Sequence, residues 1–239
     1  MMLLIDAGNS RIKWRLQCET DGRVEAEGAL AHDDIDTLTC LRPHARSAAR
    51  IVGSNVAGSA VADRIAHTLG MERIEWLRPG QKACGVRNLY DDPLQLGADR
   101  WAALIGAHAV HAHPCVVVMA GTATTVDLLS ASGDFLGGLI LPGVELMQES
   151  LARGTAQLPS ASGRFALQPR CTLDAIRSGC LQAQAGAVER MFHQIATHKD
   201  ALCLLSGGAA DSFADLLDIP LRRIDNLVLH GLAVFAAAC

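Results

Sequence analysis

The sequence predicts an α/β protein made of two similar halves, and three observations lead there. Short apolar runs alternate with segments whose apolar residues recur three and four apart, the alternation that layers helices on a sheet. A strand–glycine–strand unit at residues 3–14, LLIDAGNSRIKW, has a second copy at 116–129, VVVMAGTATTVDLL. No linker, low-complexity segment or charge run interrupts the 239 residues, and two subdomains are expected, at 1–114 and 115–239.

In the first unit an apolar run ends in Asp6, turns on Gly8, and leaves as Ile12-Lys13-Trp14-Arg15-Leu16 with the period of a half-buried strand. Gly8 has no side chain to keep backbone N–H groups from an anion. Asn9 and Ser10 add small polar donors and Lys13 adds a positive charge. Donors for phosphate oxygens and a carboxylate for the metal side suit a phosphate chain carrying a divalent cation. An ordinary hairpin with a glycine turn has the same outline. In the second copy Gly121 stands for Gly8, Thr122 for Asn9, Ala120 for Ala7 and Met119 for Asp6, so only the first copy keeps its strand-end acid. Two such loops suggest a duplicated half with a nucleotide held between the copies.

The remaining elements follow in order. Residues 18–28 are polar and turn-rich, a further strand pair around Asp21-Gly22. Residues 32–41 read as a short helix with Ile35 and Leu38 on one face. A strand at 50–52, followed by Gly53-Ser54-Asn55, leads to a helix over 59–69, stopped by Gly70. After a strand at 74–77, residues 78–97 lack periodicity, and loops of that length in a compact domain carry function. They end at Leu96-Gly97-Ala98-Asp99-Arg100, where a helix marked by Trp101, Leu104, Ile105 and His108 begins. Asp99 there either complements the helix dipole or acts as a base beside a carboxylate-binding cation, Arg100. His108, His111 and His113 sit at the end of that helix with no acid close in sequence, which favours a dipole effect over a metal cluster.

Beyond the second hairpin come a turn at Gly133-Asp134, a strand over 135–141, and a helix with Val144, Met147 and Leu151 on one face. Thr172 is expected to cap a long helix reaching about His198, its stripe of Leu173, Ile176, Cys180, Ala187, Met191 and Ile195 serving either core or dimer interface. Gly186 marks an expected close helix crossing. A strand over 201–205 precedes Ser206-Gly207-Gly208, where an adenine ring could lie against backbone or the chain could simply turn. A final helix covers 227–238.

Half the residues are hydrophobic, enough for a sizeable core. A net charge of −4 lacks the basic face that nucleic acids need, and 4% aromatics leave few stacking platforms. Eight cysteines without a Cys-x-x-Cys pair read as reduced, mostly buried thiols. The start lacks a basic leading region, and the longest apolar run, 232–239, is too short for a bilayer. The expectation is a soluble, cytoplasmic protein with no nucleic-acid or membrane partner.

In the order IDAGNSRIK (5–13), Tyr90-x-x-Pro93, LGADR (96–100), AGTATTVD (120–127), GGLILPGVELMQESL (137–151), TAQLP (155–159), Thr172 with AIRSG (175–179), SGG (206–208) and NLVLHGL (226–232), the motifs resemble the type III pantothenate kinases. These form the CoaX-like, Bvg accessory factor branch of the actin/hexokinase nucleotide-binding superfamily, and the likeness covers nearly the whole chain. The resemblance implies an actin-like/ribonuclease H-like ATPase fold of two duplicated subdomains, with mixed sheets flanked by helices. It also implies a homodimer and ATP-dependent phosphorylation of pantothenate to 4′-phosphopantothenate, the first step of coenzyme A synthesis.

By position, the resemblance makes Asp99 the general base and gives Arg100 the pantothenate carboxylate. Tyr90, Gly97 and Ala98 join them in the pantothenate pocket, and Thr172 reaches that pocket from the partner subunit. Asp6, Ala7, Gly8, Asn9, Ser10, Arg11, Ile12 and Lys13 would hold ATP, together with Gly121, Thr122, Gly207 and Gly208. Asp6, with Asp127, would serve Mg2+. Many relatives carry Asp where Met119 stands and use it for a monovalent cation. A thioether is a poor ligand for hard K+ or NH4+, which argues against such activation here. Ser10 keeps the hydroxyl of the more usual Thr. Two rivals remain: a kinase of this fold for another small alcohol, and a non-catalytic nucleotide-binding regulatory factor. The intact Asp6, Asp99 and Thr122 favour the enzyme.

Overall fold

Strand β1 (Met2–Ala7) is apolar on both faces, with Leu3, Leu4, Ile5 and Ala7 all buried, as a strand in the middle of a covered sheet must be. In the computed structural model, which describes residues 1–72, 74–154 and 163–238, β1 lies at the centre of the first of two units. It pairs antiparallel with β2 (Arg11–Gln17) and parallel with β4 (Arg50–Asn55). The sheet order is β3-β2-β1-β4-β5, with β3 at Val24–Ala31 and β5 at Glu75–Trp76. The turn at Asp21-Gly22 therefore joins β2 to β3 and closes no separate strand pair. The predicted strand at 50–52 runs on to Asn55.

The crossover from β3 to β4 is a 3-10 helix (His32–Leu41) followed by α1 (Arg42–Ser47), burying Ile35, Leu38, Leu41 and Ala45. Its tighter winding suits its hydroxyls: Thr37 Oγ1 donates to the Asp34 carbonyl at 2.7 Å and Thr39 Oγ1 to that of Asp36 at 2.7 Å, three residues back. Helix α2 (Ser59–Leu69) buries Ile65 and Leu69 and ends on left-handed Gly70, as the sequence predicts. The unpatterned stretch holds a small hairpin, β6 (Lys82–Ala83) and β7 (Val86–Asn88), then a 3-10 turn at Pro93–Gln95. Elements two or three residues long leave no periodicity to read. Helix α3 (Ala98–Val110) follows.

The strands of the second unit repeat the order of the first unit's five-stranded sheet. Strands β8 (Cys115–Ala120), β9 (Ala123–Leu129), β10 (Asp134–Pro142), β11 (Leu202–Ser206) and β12 (Leu221–Arg223) run in the order β10-β9-β8-β11-β12. As in the first unit, the central strand is antiparallel to one neighbour, β9, and parallel to the other, β11. Helices α4 (Val144–Gly154) and α5 (Thr172–Phe192) accompany this sheet, α5 burying Cys180, Leu181, Ala185, Val188 and Phe192. Two expectations about α5 fail. Its N-cap is Cys171 rather than Thr172, and it stops at Phe192, although Ile195 beyond it stays buried.

Gly186 makes no close crossing: a Cβ there would meet nothing within 4 Å. The close crossing belongs to Gly106 on α3 and Gly231 on α6 (Leu227–Ala238). A Cβ on Gly106 would stand 2.8 Å from the Leu227 carbonyl oxygen, and one on Gly231 would overlap the Ala102 carbonyl. That packing returns the last helix to the first unit, so the units are Met1–Val110 with the C-terminal segment, and His111–Asp225. Chain order alone does not disclose which unit a terminal helix packs against.

Among the described cysteines, Cys115, Cys180 and Cys203 are buried, Cys18 and Cys84 intermediate, and Cys40 and Cys171 exposed, so fewer are buried than expected. No helix among the described residues is long and apolar enough to cross a membrane. The TAQLP motif at 155–159 lies outside the described residues.

Candidate active site

The turn from β1 to β2 is three residues long, and its peptides are tied from outside. The Ala7 carbonyl accepts from the Val56 N–H at 3.0 Å and the Gly8 N–H donates to the Arg11 carbonyl at 3.1 Å. The Gly8 carbonyl oxygen lies 2.9 Å from His32 Nε2. The Gly8 N–H is therefore used to close the hairpin. Asn9 and Ser10 are exposed at its tip.

Asp6 sits opposite Lys13 on β2 and beside Ser54 on β4. Burial and then the negative charge of Asp99 push its carboxyl up to about 7, with Lys13 pulling the other way. Its Oδ1 is buried without a hydrogen-bond partner. A buried carboxylate oxygen with no donor, next to a second acid, fits a cation. Mg2+ suits it, since that ion takes one or two carboxylates and fills its remaining positions with water and phosphate oxygens.

Asp99 stands in the first turn of α3. Burial raises its pKa, opposed by the Arg100 N–H, which donates to Oδ1 at 2.8 Å, and by the Arg100 charge. A Cβ at residue 97 would lie 2.5 Å from that same oxygen, so Gly97 makes room for the carboxylate. Arg100 is 5% exposed, and its Nη1 donates to the Tyr90 hydroxyl at 3.0 Å with the guanidinium 5.7 Å from the ring centre. Asn88, which sequence reasoning missed, braces this turn. Its Oδ1 accepts from the Tyr90 N–H at 3.1 Å, and its Nδ2 donates to the Pro93 carbonyl at 3.1 Å. Asp99 and Lys13 thus both act on Asp6, while Asp99, Arg100 and Tyr90 form a second linked set.

In the second unit the turn is one residue shorter, closed by the Gly121 N–H donating to the Ala123 carbonyl at 3.1 Å. Gly143 donates its N–H to the Thr122 carbonyl at 2.8 Å, and a Cβ on it would collide with the Gly121 carbonyl. Gly207, at φ +104°, brings its Cα against Ala120, a conformation and an approach that both demand glycine. Exposed Gly208 follows it, and the Ala209 N–H donates to the Ala120 carbonyl at 3.1 Å. Backbone from three parts of the unit thus seats residues 120–122.

Register explains the missing acid. Asp6 faces Lys13 in the first hairpin, whereas Met119 faces Thr125 in the second, so acid and base have given way together to neutral residues. Ser206 takes the place beside Met119 that Ser54 takes beside Asp6. Asp127 is buried within β9 against Gly138, where a Cβ would collide with its carboxylate. Thr172 is exposed at the start of α5, whose first turns hold the preceding segment through Arg164 N–H to Asp174 Oδ1 at 2.8 Å. His111 bonds the Asp200 carbonyl oxygen through Nε2 at 3.0 Å, and among the described residues no three His, Cys, Asp or Glu groups gather as a metal site.

The family model of type III pantothenate kinases matches residues 2–194. The chain belongs to that family. A type III pantothenate kinase of Aromatoleum aromaticum is 56% identical over 238 residues, covering 99% of this chain and 98% of the relative. Among solved structures, a conserved Baf family protein from Campylobacter jejuni shares 22% identity at a TM-score of 0.66, over 96% of this chain and 94% of that one. A protein from Sinorhizobium meliloti described as a 2-dehydro-3-deoxygalactonokinase shares 16% identity at a TM-score of 0.59, over 100% and 98%. These likenesses agree with the expected actin-like ATPase fold, its mixed sheets flanked by helices.

Proposed function

We propose that this kinase transfers the γ-phosphoryl group of ATP to the primary hydroxyl of pantothenate, giving 4′-phosphopantothenate for coenzyme A synthesis. The observation that carries the reading is Asp99: a half-buried carboxylate at a helix start, accepting from the Arg100 N–H and close enough for its charge to raise the pKa of Asp6. Phosphoryl transfer asks for positioning and charge stabilisation more than covalent chemistry. Asp99 takes the hydroxyl proton as the oxygen bonds to phosphorus, and burial makes it a stronger base for that step. Arg100, held by Tyr90, receives the pantothenate carboxylate in its planar fork. Gly97 and Ala98 shape the same pocket.

Residues 6–13 and Gly121-Thr122 take the ATP phosphates, while Gly207 and Gly208 offer bare backbone to the adenine. Asp6 would hold Mg2+, with Asp127 ordering its water, and when bound the ion neutralises charge on the β- and γ-phosphates. The neutral Met119–Thr125 pair supports activity without K+ or NH4+. A homodimer, with Thr172 completing the partner's site, is supported by exposed Leu136, Leu139 and Ile140 along β10 and exposed Leu167. The free cysteines among the described residues support a reducing, cytoplasmic setting.

A coupled ADP-release assay, with and without pantothenate and with and without K+, tests the reading. The expected result is ADP release that requires pantothenate and ignores K+. Release independent of pantothenate would overturn the substrate assignment, and strict K+ dependence would overturn the reading of Met119.

A further inference from the structure

We propose that His32 is a positioning residue of the first phosphate loop, its imidazole fixing which way the Gly8–Asn9 peptide faces. The proposal rests on the reading that residues 6–13 bind ATP phosphates. His32 is placed for the task by register. Ala31, the last residue of β3, pairs with Arg11 at the base of the loop, so the next residue comes alongside the turn. Its Nε2 lies 2.9 Å from the Gly8 carbonyl oxygen. A carbonyl only accepts, so Nε2 carries the hydrogen, whether the ring is the neutral Nε2–H tautomer or the imidazolium.

The peptide group is planar and trans, so the Gly8 C=O and the Asn9 N–H point in opposite directions. Holding the carbonyl toward His32 turns the Asn9 N–H to the other side, as a donor for an anion. Glycine at position 8 leaves the reversed orientation sterically open. In that orientation a carbonyl oxygen would face the phosphate and repel it. The preceding Ala7–Gly8 peptide is fixed at both ends by backbone bonds, its carbonyl accepting from the Val56 N–H and its Gly8 N–H donating to the Arg11 carbonyl. For the Gly8–Asn9 peptide the bond comes from a side chain.

His32 is itself held in place. Its carbonyl accepts from Arg64 Nη1 at 3.4 Å, and Arg64 also pairs with Asp36 at 3.2 Å, which ties α2 to the 3-10 helix that His32 begins. In the second loop the bond comes from backbone and falls one peptide further on, where the Gly143 N–H donates to the Thr122 carbonyl.

The test is steady-state kinetics of His32→Ala, His32→Gln, His32→Phe and, in parallel, Lys13→Ala. His32→Ala should raise the KM for ATP about fivefold to tenfold, the worth of one well-placed hydrogen bond, and leave the KM for pantothenate unmoved. His32→Gln, which keeps an N–H donor, should recover most of the ATP affinity, and His32→Phe none. A merely structural role would lower the active fraction, and so the apparent kcat, with the ATP KM unchanged in all three; that result overturns the proposal. If Lys13→Ala raises the ATP KM while His32→Ala does not, His32 is removed and the phosphate loop stands. If neither variant moves it, the phosphate-loop reading fails as well.

Discussion

The carboxyl of Asp6, at the end of β1, keeps its proton up to about 7 because it is buried and because Asp99, at the start of α3, is negative beside it. Two acids from opposite ends of the first unit's sequence thus share one electrostatic problem. The negative charge of Asp99 opposes the ionisation of Asp6. A divalent cation resolves the conflict by favouring the ionised form of Asp6.

That arrangement makes stability depend on pH. The folded pKa of Asp6 lies above the unfolded value of 3.8, so between them the folded chain holds a proton that the unfolded chain has released. Stability falls as pH rises through that window and stays lower above it. Asp6→Asn removes the penalty and should stabilise the metal-free protein by about 2–4 kcal/mol at pH 8, with little change at pH 4. Thermal unfolding at the two pH values checks this; equal shifts at both would remove the titration from the account. The wild-type kcat/KM for ATP should also fall below pH 7, since the free enzyme must release this proton.

Asp99→Asn preserves shape and removes the base. Turnover should drop by about 10²–10⁴-fold, with the KM values for ATP and pantothenate nearly unchanged. Steady-state rates for both substrates decide it, and retained turnover would take the proton-accepting role from Asp99.

Arg100 and Tyr90 should separate by size of effect. Arg100→Ala loses a charged, planar partner for a carboxylate and should raise the pantothenate KM about 10–100-fold. Tyr90→Phe loses only the hydroxyl that steadies Arg100 at 3.0 Å and should raise it about fivefold. Titrating pantothenate at saturating ATP reads both. A large fall in kcat without a rise in KM would reassign Arg100.

Glycines of the second unit should divide by what surrounds them. Gly143→Ala places a methyl group against the Gly121 and Thr122 carbonyls and should raise the ATP KM about tenfold by displacing that loop. Gly186→Ala, with nothing within 4 Å of the new carbon, should stabilise α5 by about 0.5–1 kcal/mol and leave kinetics alone. Denaturant unfolding with parallel kinetics distinguishes them, and identical behaviour of the two variants would contradict the packing described.

Much of the fold was legible because its signals are local. Helix α2 between residue 59 and Gly70, and the helix opening at Ala98-Asp99, announce themselves by periodicity and stop signals within a few residues. The short hairpin at 82–88 and the 3-10 helix at 32–41 were not legible as such, since elements that brief or that tightly wound leave no pattern of their own. The linked set Asp99–Arg100–Tyr90 could be named from motifs, but its brace, Asn88, is one more polar residue in a loop until the turn is folded.

The sequence by itself determined the two hairpins, the acid at the end of one strand and its absence from the other, and the aspartate–arginine pair at a helix start, because each is written in neighbouring residues. Only the tertiary structure decided that Asp6 and Asp99 act on each other, that His32 reaches Gly8 across 24 positions, and that the last helix packs on α3 through Gly106 and Gly231. Charge coupling and backbone approach depend on distance in space, which residue order leaves open until the chain has folded.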